Sequence, residues 1–183
     1  MEKKNLPTLK DLYSGELETK ENQNTLNVLL NQPPQAAWIK DHPMAKGVKY
    51  IPIERIEYLL TRLFLQWRVE VKQIAVIANS CVVTVRLHYQ NILNDDWSWQ
   101  DGIGAAPIQT DSGKGAMDWN YAKNDGVMKS APAAESYAIK DAAEKIGKIF
   151  GKDLNRKDEI GYDSLLNKVS KEEKHSEIFE EEK

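Results

Sequence analysis

Apolar positions recur at helical spacing from Ile53 to Phe64. Ile53, Ile56, Leu59, Leu60, Leu63 and Phe64 make one stripe, and Pro52 suits the first turn of such a helix. The period then changes. Trp67, Val69 and Val71 alternate with Arg68, Glu70 and Lys72, the pattern of a half-buried strand. Ile74 to Ala78 continues apolar, Asn79-Ser80 reads as a turn, and Cys81 to Tyr89 alternates as a second strand rich in β-branched residues. After a loop over 91–96, Trp97 to Ile103 and Ala105 to Gln109 suggest a third strand. It contains Gly102 and Gly104, and paired strand glycines point to a bulge or a close backbone approach.

The stretch from 129 to 151 organises the rest. A loop of Lys129, Ser130 and Pro132 opens it. Ile139, Ala142, Ala143, Ile146, Ile149 and Phe150 then recur at helical spacing, and Gly151 reads as the stop. Ala133, Ala134 and Ala138 are small enough for this helix to lie close to a sheet. The predicted class is α+β: an antiparallel β-meander with a β-β-β-α core packed against a long helix, with flanking helices.

Composition changes this picture mainly through charge. The 183-residue chain has a formal net charge of −3, too acidic for an overtly basic nucleic-acid binder. The charge is uneven, however. Residues 47–86 carry six bases against three acids, and residues 158–183 carry nine acids against four lysines. Three segments follow: an N-terminal arm over 1–46 that would dock on another surface through Trp38, a core over 47–157, and an acidic tail over 158–183. A helix over part of Ser164 to Glu182 is also suggested. The single cysteine, Cys81, sits in an apolar run and reads as a small core residue. With no disulfide, no signal h-region and no apolar run long enough to cross a membrane, the expectation is a cytoplasmic protein.

Several chemistries find no support. Gly113-Lys114 is not a phosphate-binding P-loop, because Gly115 stands where Ser or Thr is needed. His42, His88 and His175 lack metal-ligand spacing. Asp95 and Asp96 precede Trp97 as a turn pair would. No metal or cofactor is expected, nor an enzyme.

Basic residues are the better candidates. On the helix after Pro52, Arg55, Tyr58 and Arg62 fall on one stripe away from the apolar face; bases interleaved with an aromatic can grip phosphate and stack a nucleobase. The helix before Gly151 is expected to present Lys145, Lys148 and Lys152 on its polar face, with Asp141 among them and Lys140 on the flank.

The run A-x-x-S-x-A-I-K-x-A-A-x-K-I-G-x-x-F-G, from Ala133 to Gly151, resembles the corresponding helix of single-strand annealing proteins of the Rad-fifty-two superfamily, in its phage and bacterial branch. The resemblance covers roughly residues 48–157. In order, it takes in Tyr50-Ile51 ahead of Arg55, Trp67 at the first strand, Val83, Val85 and Leu87 in the second, the segment Asp101 to Gly104, and the Lys129-Ser130 segment before the helix. It implies rings or helical filaments of many subunits, with single-stranded DNA in a basic groove. By position it implies DNA contacts at Arg55, Lys129 and Lys140, with Arg156 and Lys157 in the basic segment beyond. The implied partners are single-stranded DNA and further copies of the chain, with a single-strand-binding protein or exonuclease as additional ones. The function expected is ATP-independent strand annealing in recombination or repair. Two alternatives stand beside it: a metal-dependent nuclease using Asp95, Asp96, Asp101 or Asp111, and a protein-binding adaptor.

Overall fold

The structure is a computed structural model and describes residues 17–42 and 46–157. The acidic tail, its expected helix and His175 lie outside the described residues, as does the start of the N-terminal arm. In chain order the elements are α1 (Leu17–Leu30), β1 (Lys40–Asp41), β2 (Lys49–Tyr50), α2 (Ile53–Leu63), β3 (Trp67–Ile77), β4 (Ser80–Gln90), β5 (Trp97–Pro107) and α3 (Gly126–Glu144). Short 3-10 turns at Ala36–Trp38, Trp119–Tyr121 and Lys148–Phe150 join them. The fold is α+β, with the expected antiparallel meander in the order β3-β4-β5 and the long helix α3 against it.

Alternation along β4 decides where the core sits. Cys81, Val83, Val85 and Leu87 point to one face and are buried. Ile56, Leu59 and Leu60 from α2, and Ala134, Ala138, Ile139, Ala142 and Ala143 from α3, close over that face. Leu26 and Leu30 of α1 join the same core, and β1 pairs with β2 through Lys40↔Tyr50 and Asp41↔Lys49. The described part of the arm thus packs on the chain's own body. No helix among the described residues is long and apolar enough to cross a membrane.

The two strand glycines have a steric cause. A Cβ on Gly102 would lie 2.0 Å from the Ala138 carbonyl oxygen, and one on Gly104 would lie 2.1 Å from that of Ala134. The backbone of α3 rests directly on β5, and alanines on the helix leave room for this. Of the two devices expected from paired glycines, close approach is the one used; the β4–β5 register runs unbroken from Ser80↔Pro107 to Gln90↔Trp97.

The helix itself differs from expectation at both ends. The Lys129-Ser130-Pro132 segment is helical, not a loop: α3 begins at Gly126 and carries Pro132 inside it. Proline removes one backbone donor but fixes a helix-compatible φ, so packing of the following turns can hold it in place. At the other end α3 stops at Glu144 instead of running to Phe150. Gly147 is extended (φ −178°), and a Cβ there would meet the Leu30 carbonyl oxygen at 2.4 Å. Glycine lets the end of α1 come close, at the expense of the helix. Gly151, with φ 104°, then ends the 3-10 turn in the left-handed region.

Candidate nucleic-acid interface

Lys140 is the centre of the most structured basic site. Its ammonium lies 4.8 Å from the Tyr50 ring centroid and 5.0 Å from that of Tyr137. Both are cation–π distances. His42 adds an edge-on contact to Tyr50 and a stacked one to Tyr137, at 5.8 and 6.4 Å. These residues, with Pro52, Ile53, Glu54, Ala133 and Ser136, line an open cleft of about 280 Å³. Burial lowers the Lys140 pKa from the ordinary lysine value, against the pull of Glu54 and Glu144.

Three elements build the cleft. The β1–β2 hairpin brings His42 and Tyr50, the start of α2 brings Glu54, and α3 brings Tyr137 and Lys140. Asn155 fastens the hairpin to the segment after α3. Its side chain accepts from the Lys49 N–H at 2.7 Å and donates to the Lys49 carbonyl at 2.8 Å. Lys40, Lys46 and Lys49 stand exposed on or beside this hairpin.

One stripe of α3 extends the cleft. At 100° per residue Lys129 and Lys140 fall on nearly the same side of the helix, with Ala133 and Ser136 between, spread over about 16 Å of helix axis. Lys129 is exposed and ion-paired to Asp125 at 2.5 Å. On α2, Arg55, Tyr58 and Arg62 are all exposed, as their spacing predicted. The Arg55 guanidinium lies 5.5 Å from the Trp38 ring centre, and Tyr58 meets the same ring edge-on at 5.9 Å. Trp38, read from sequence as a docking anchor, therefore organises this basic stripe while packing against the core.

The expected face of Lys145, Lys148 and Lys152 does not form, because α3 ends before it. Lys145 turns toward the sheet, donating to Asp141 at 2.8 Å and to the Asp101 carbonyl at 2.6 Å. Lys148 pairs with Asp153 at 3.0 Å, and Arg156 reaches the same carboxylate at 3.4 Å. Lys152 and Lys157 are exposed on the segment beyond.

Glu144 stands one turn beyond Lys140. Burial, aided by the Asp141 charge, pushes its carboxyl up to about 7. The charge beside the Lys140 stripe therefore varies around neutral pH.

Two of the four aspartates considered for metal chemistry have other partners. Asp101 accepts both arms of the Arg86 guanidinium, at 2.7 and 2.8 Å, and this holds its carboxyl below the usual range. Asp96 accepts from Asn94 at 2.6 Å. Among the described residues, no group of three His, Cys, Asp or Glu side chains could hold a metal ion.

Sequence reasoning missed His42 and Tyr137 as cleft residues. It missed a second cluster as well. On the open face of the sheet, Arg68 lies over exposed Trp97 at 5.3 Å and Arg86 over exposed Trp99 at 3.8 Å. The signal was present, since Trp97 and Trp99 are two apart on one strand and so share a face.

No family model matches the chain, and no curated protein matches it in sequence.

Proposed function

We propose that the protein binds single-stranded DNA and anneals complementary strands without a nucleotide cofactor, working as a homo-oligomer in recombination or repair. The observation that supports this best is the Lys140 cleft. It sets a cation between two tyrosine rings, opens to solvent, and continues along α3 to Lys129. Such a surface suits a flexible strand, because phosphates take the cations and unpaired bases take the aromatic rings. Arg55 and Tyr58 on α2 repeat the same combination.

In this reading Lys129, Lys140 and Arg55 hold phosphates, while exposed Tyr58 and Tyr137 stack bases. Arg62, Arg156 and Lys157 add charge along the path. Binding releases counterions, so affinity falls as salt rises. Strands held extended can test each other for pairing, and pairing itself supplies the free energy. The annealing role and the oligomer come from the family resemblance; the cleft speaks to strand binding.

The test is fluorescence anisotropy of a labelled single-stranded oligonucleotide over a salt series. The wild-type chain should bind with a clear salt slope. Lys140→Ala should weaken binding and reduce that slope by about 0.7, the value for one phosphate contact on a single strand. An unchanged slope and affinity would remove Lys140 from the interface.

A further inference from the structure

The sheet has two outer edges, and the chain treats them differently. On β5, side chains from α3 occupy the backbone. Asp141 accepts from the Ile103 N–H at 3.0 Å, and Lys145 donates to the Asp101 carbonyl at 2.6 Å. Those groups are no longer available to another strand. β3 forms the opposite edge. Its first half is protected in two ways that natural edge strands use. It carries Arg68, Glu70 and Lys72, and its register shifts between Val71 and Gln73.

The second half of β3 has neither protection. From Gln73 to Val85 there is no Asp, Glu, Lys or Arg. Ile74, Val76 and Ile77 are 62%, 53% and 60% exposed. They lie on both faces of the hairpin, since Ile74 pairs across from Val83 and Ile77 from Ser80. Among the described residues nothing hydrogen-bonds the outer side of this segment. An uncharged, apolar edge of this kind, in continuous register from Gln73 to Ile77, pairs readily with a further strand.

We propose that Gln73–Ile77 is a self-association edge, pairing antiparallel with the same segment of a second copy of this chain. The contact is two-fold and closes on a pair of chains, so the proposal names that pair within the self-association proposed above, and it rests on that reading only for self-association, not for DNA. Charge favours a second copy as the occupant. The segment offers nothing to a phosphate backbone or a charged peptide. Pairing centred on Ala75 sets Ile74 of each copy against Val76 of the other and Gln73 against Ile77. No like charges then oppose one another, and the charged half of β3 falls outside the paired stretch. The two meanders would join as one continuous sheet, with apolar side chains covered on both faces.

The experiment is the mass of the full chain in solution, by light scattering after size exclusion, over a concentration series and without DNA. Wild type should exceed the monomer mass. Ile74→Lys with Ile77→Lys should lower that mass about two-fold or more, because the two-fold contact is lost. Ile103→Lys, at a position 61% exposed on the opposite edge, should keep the wild-type mass. Circular dichroism confirms that each variant is folded. Should the double variant not fold, hydrogen exchange of the wild type decides: the Gln73–Ile77 amides should slow as concentration rises. A monomeric wild type, a folded double variant of wild-type mass, or exchange independent of concentration would overturn the proposal. DNA is absent throughout, so failure of the strand-binding reading would show only in the anisotropy test and not here.

Discussion

Gly104→Ala gives the sharpest test of how α3 is seated. The new Cβ would lie 2.1 Å from the Ala134 oxygen and 2.3 Å from the Ala138 nitrogen. Non-bonded heavy atoms settle at about 3.5–4.0 Å, so helix and strand must separate by more than about 1 Å. Both obstacles are backbone, and no side-chain rotamer can relieve them. Overpacking of cores costs about 1–3 kcal/mol and occasionally more; this site belongs at the upper end, at about 3 kcal/mol. For a chain of this size each kcal/mol lowers Tm by about 2–4 °C, so a fall of about 6–12 °C is expected. Thermal unfolding followed by circular dichroism, with urea unfolding as a check, reads it directly. The same lift would move Lys140 away from Tyr50, so affinity for single-stranded DNA should drop alongside stability. A loss below about 1 kcal/mol, the ordinary size for a mutation, would refute direct seating of α3 on β5.

Other outcomes follow from the same geometry. Glu144→Gln should raise Tm at pH 8 and leave it unchanged at pH 4. The folded carboxyl titrates at about 7 against 4.5 as the reference value, so its ionisation destabilises the fold progressively as pH rises between those values. An equal Tm difference at both pH values would rule that out. Pro132→Ala restores a backbone donor within α3 and should raise Tm; a decrease would mean the proline is an asset to the fold. Tyr137→Ala should weaken single-strand binding by about 1–3 kcal/mol if a base stacks there, with little change in salt slope. Unchanged affinity would take Tyr137 out of the base-stacking path.

Much of the fold was legible because it rests on local periodicity. The alternation of Cys81 to Leu87 marks one buried sheet face, and no other period fits it. Gly102 and Gly104 left a bulge and a close approach both open, and Ala134 and Ala138 allowed the helix to lie close to a sheet; the structure joins these two signals in one contact. The ends of α3 were not legible. Gly126, Val127 and Met128 carry no helix-start signal, and Pro132 argues against a helix. Gly147 reads as one more helical residue because Ile146, Ile149 and Phe150 keep the apolar spacing through the 3-10 turn. That misreading placed Lys145, Lys148 and Lys152 on one face. The cleft was only partly legible. Lys140 stood out by its position in the helix, but Tyr50 reaches it from a two-residue strand far away in sequence. Pairing of that kind is tertiary, and no local pattern encodes it.

The most direct measurement is the annealing rate of two complementary labelled strands, without nucleotide, for wild type and for Arg55→Ala with Lys140→Ala. Wild type should accelerate annealing at low salt and lose the effect as salt rises. The double variant, folded by circular dichroism, should anneal near the protein-free rate. Wild-type chain that binds no strand at low salt, or a folded double variant that anneals as fast as wild type, would contradict the reading of this surface as the annealing site.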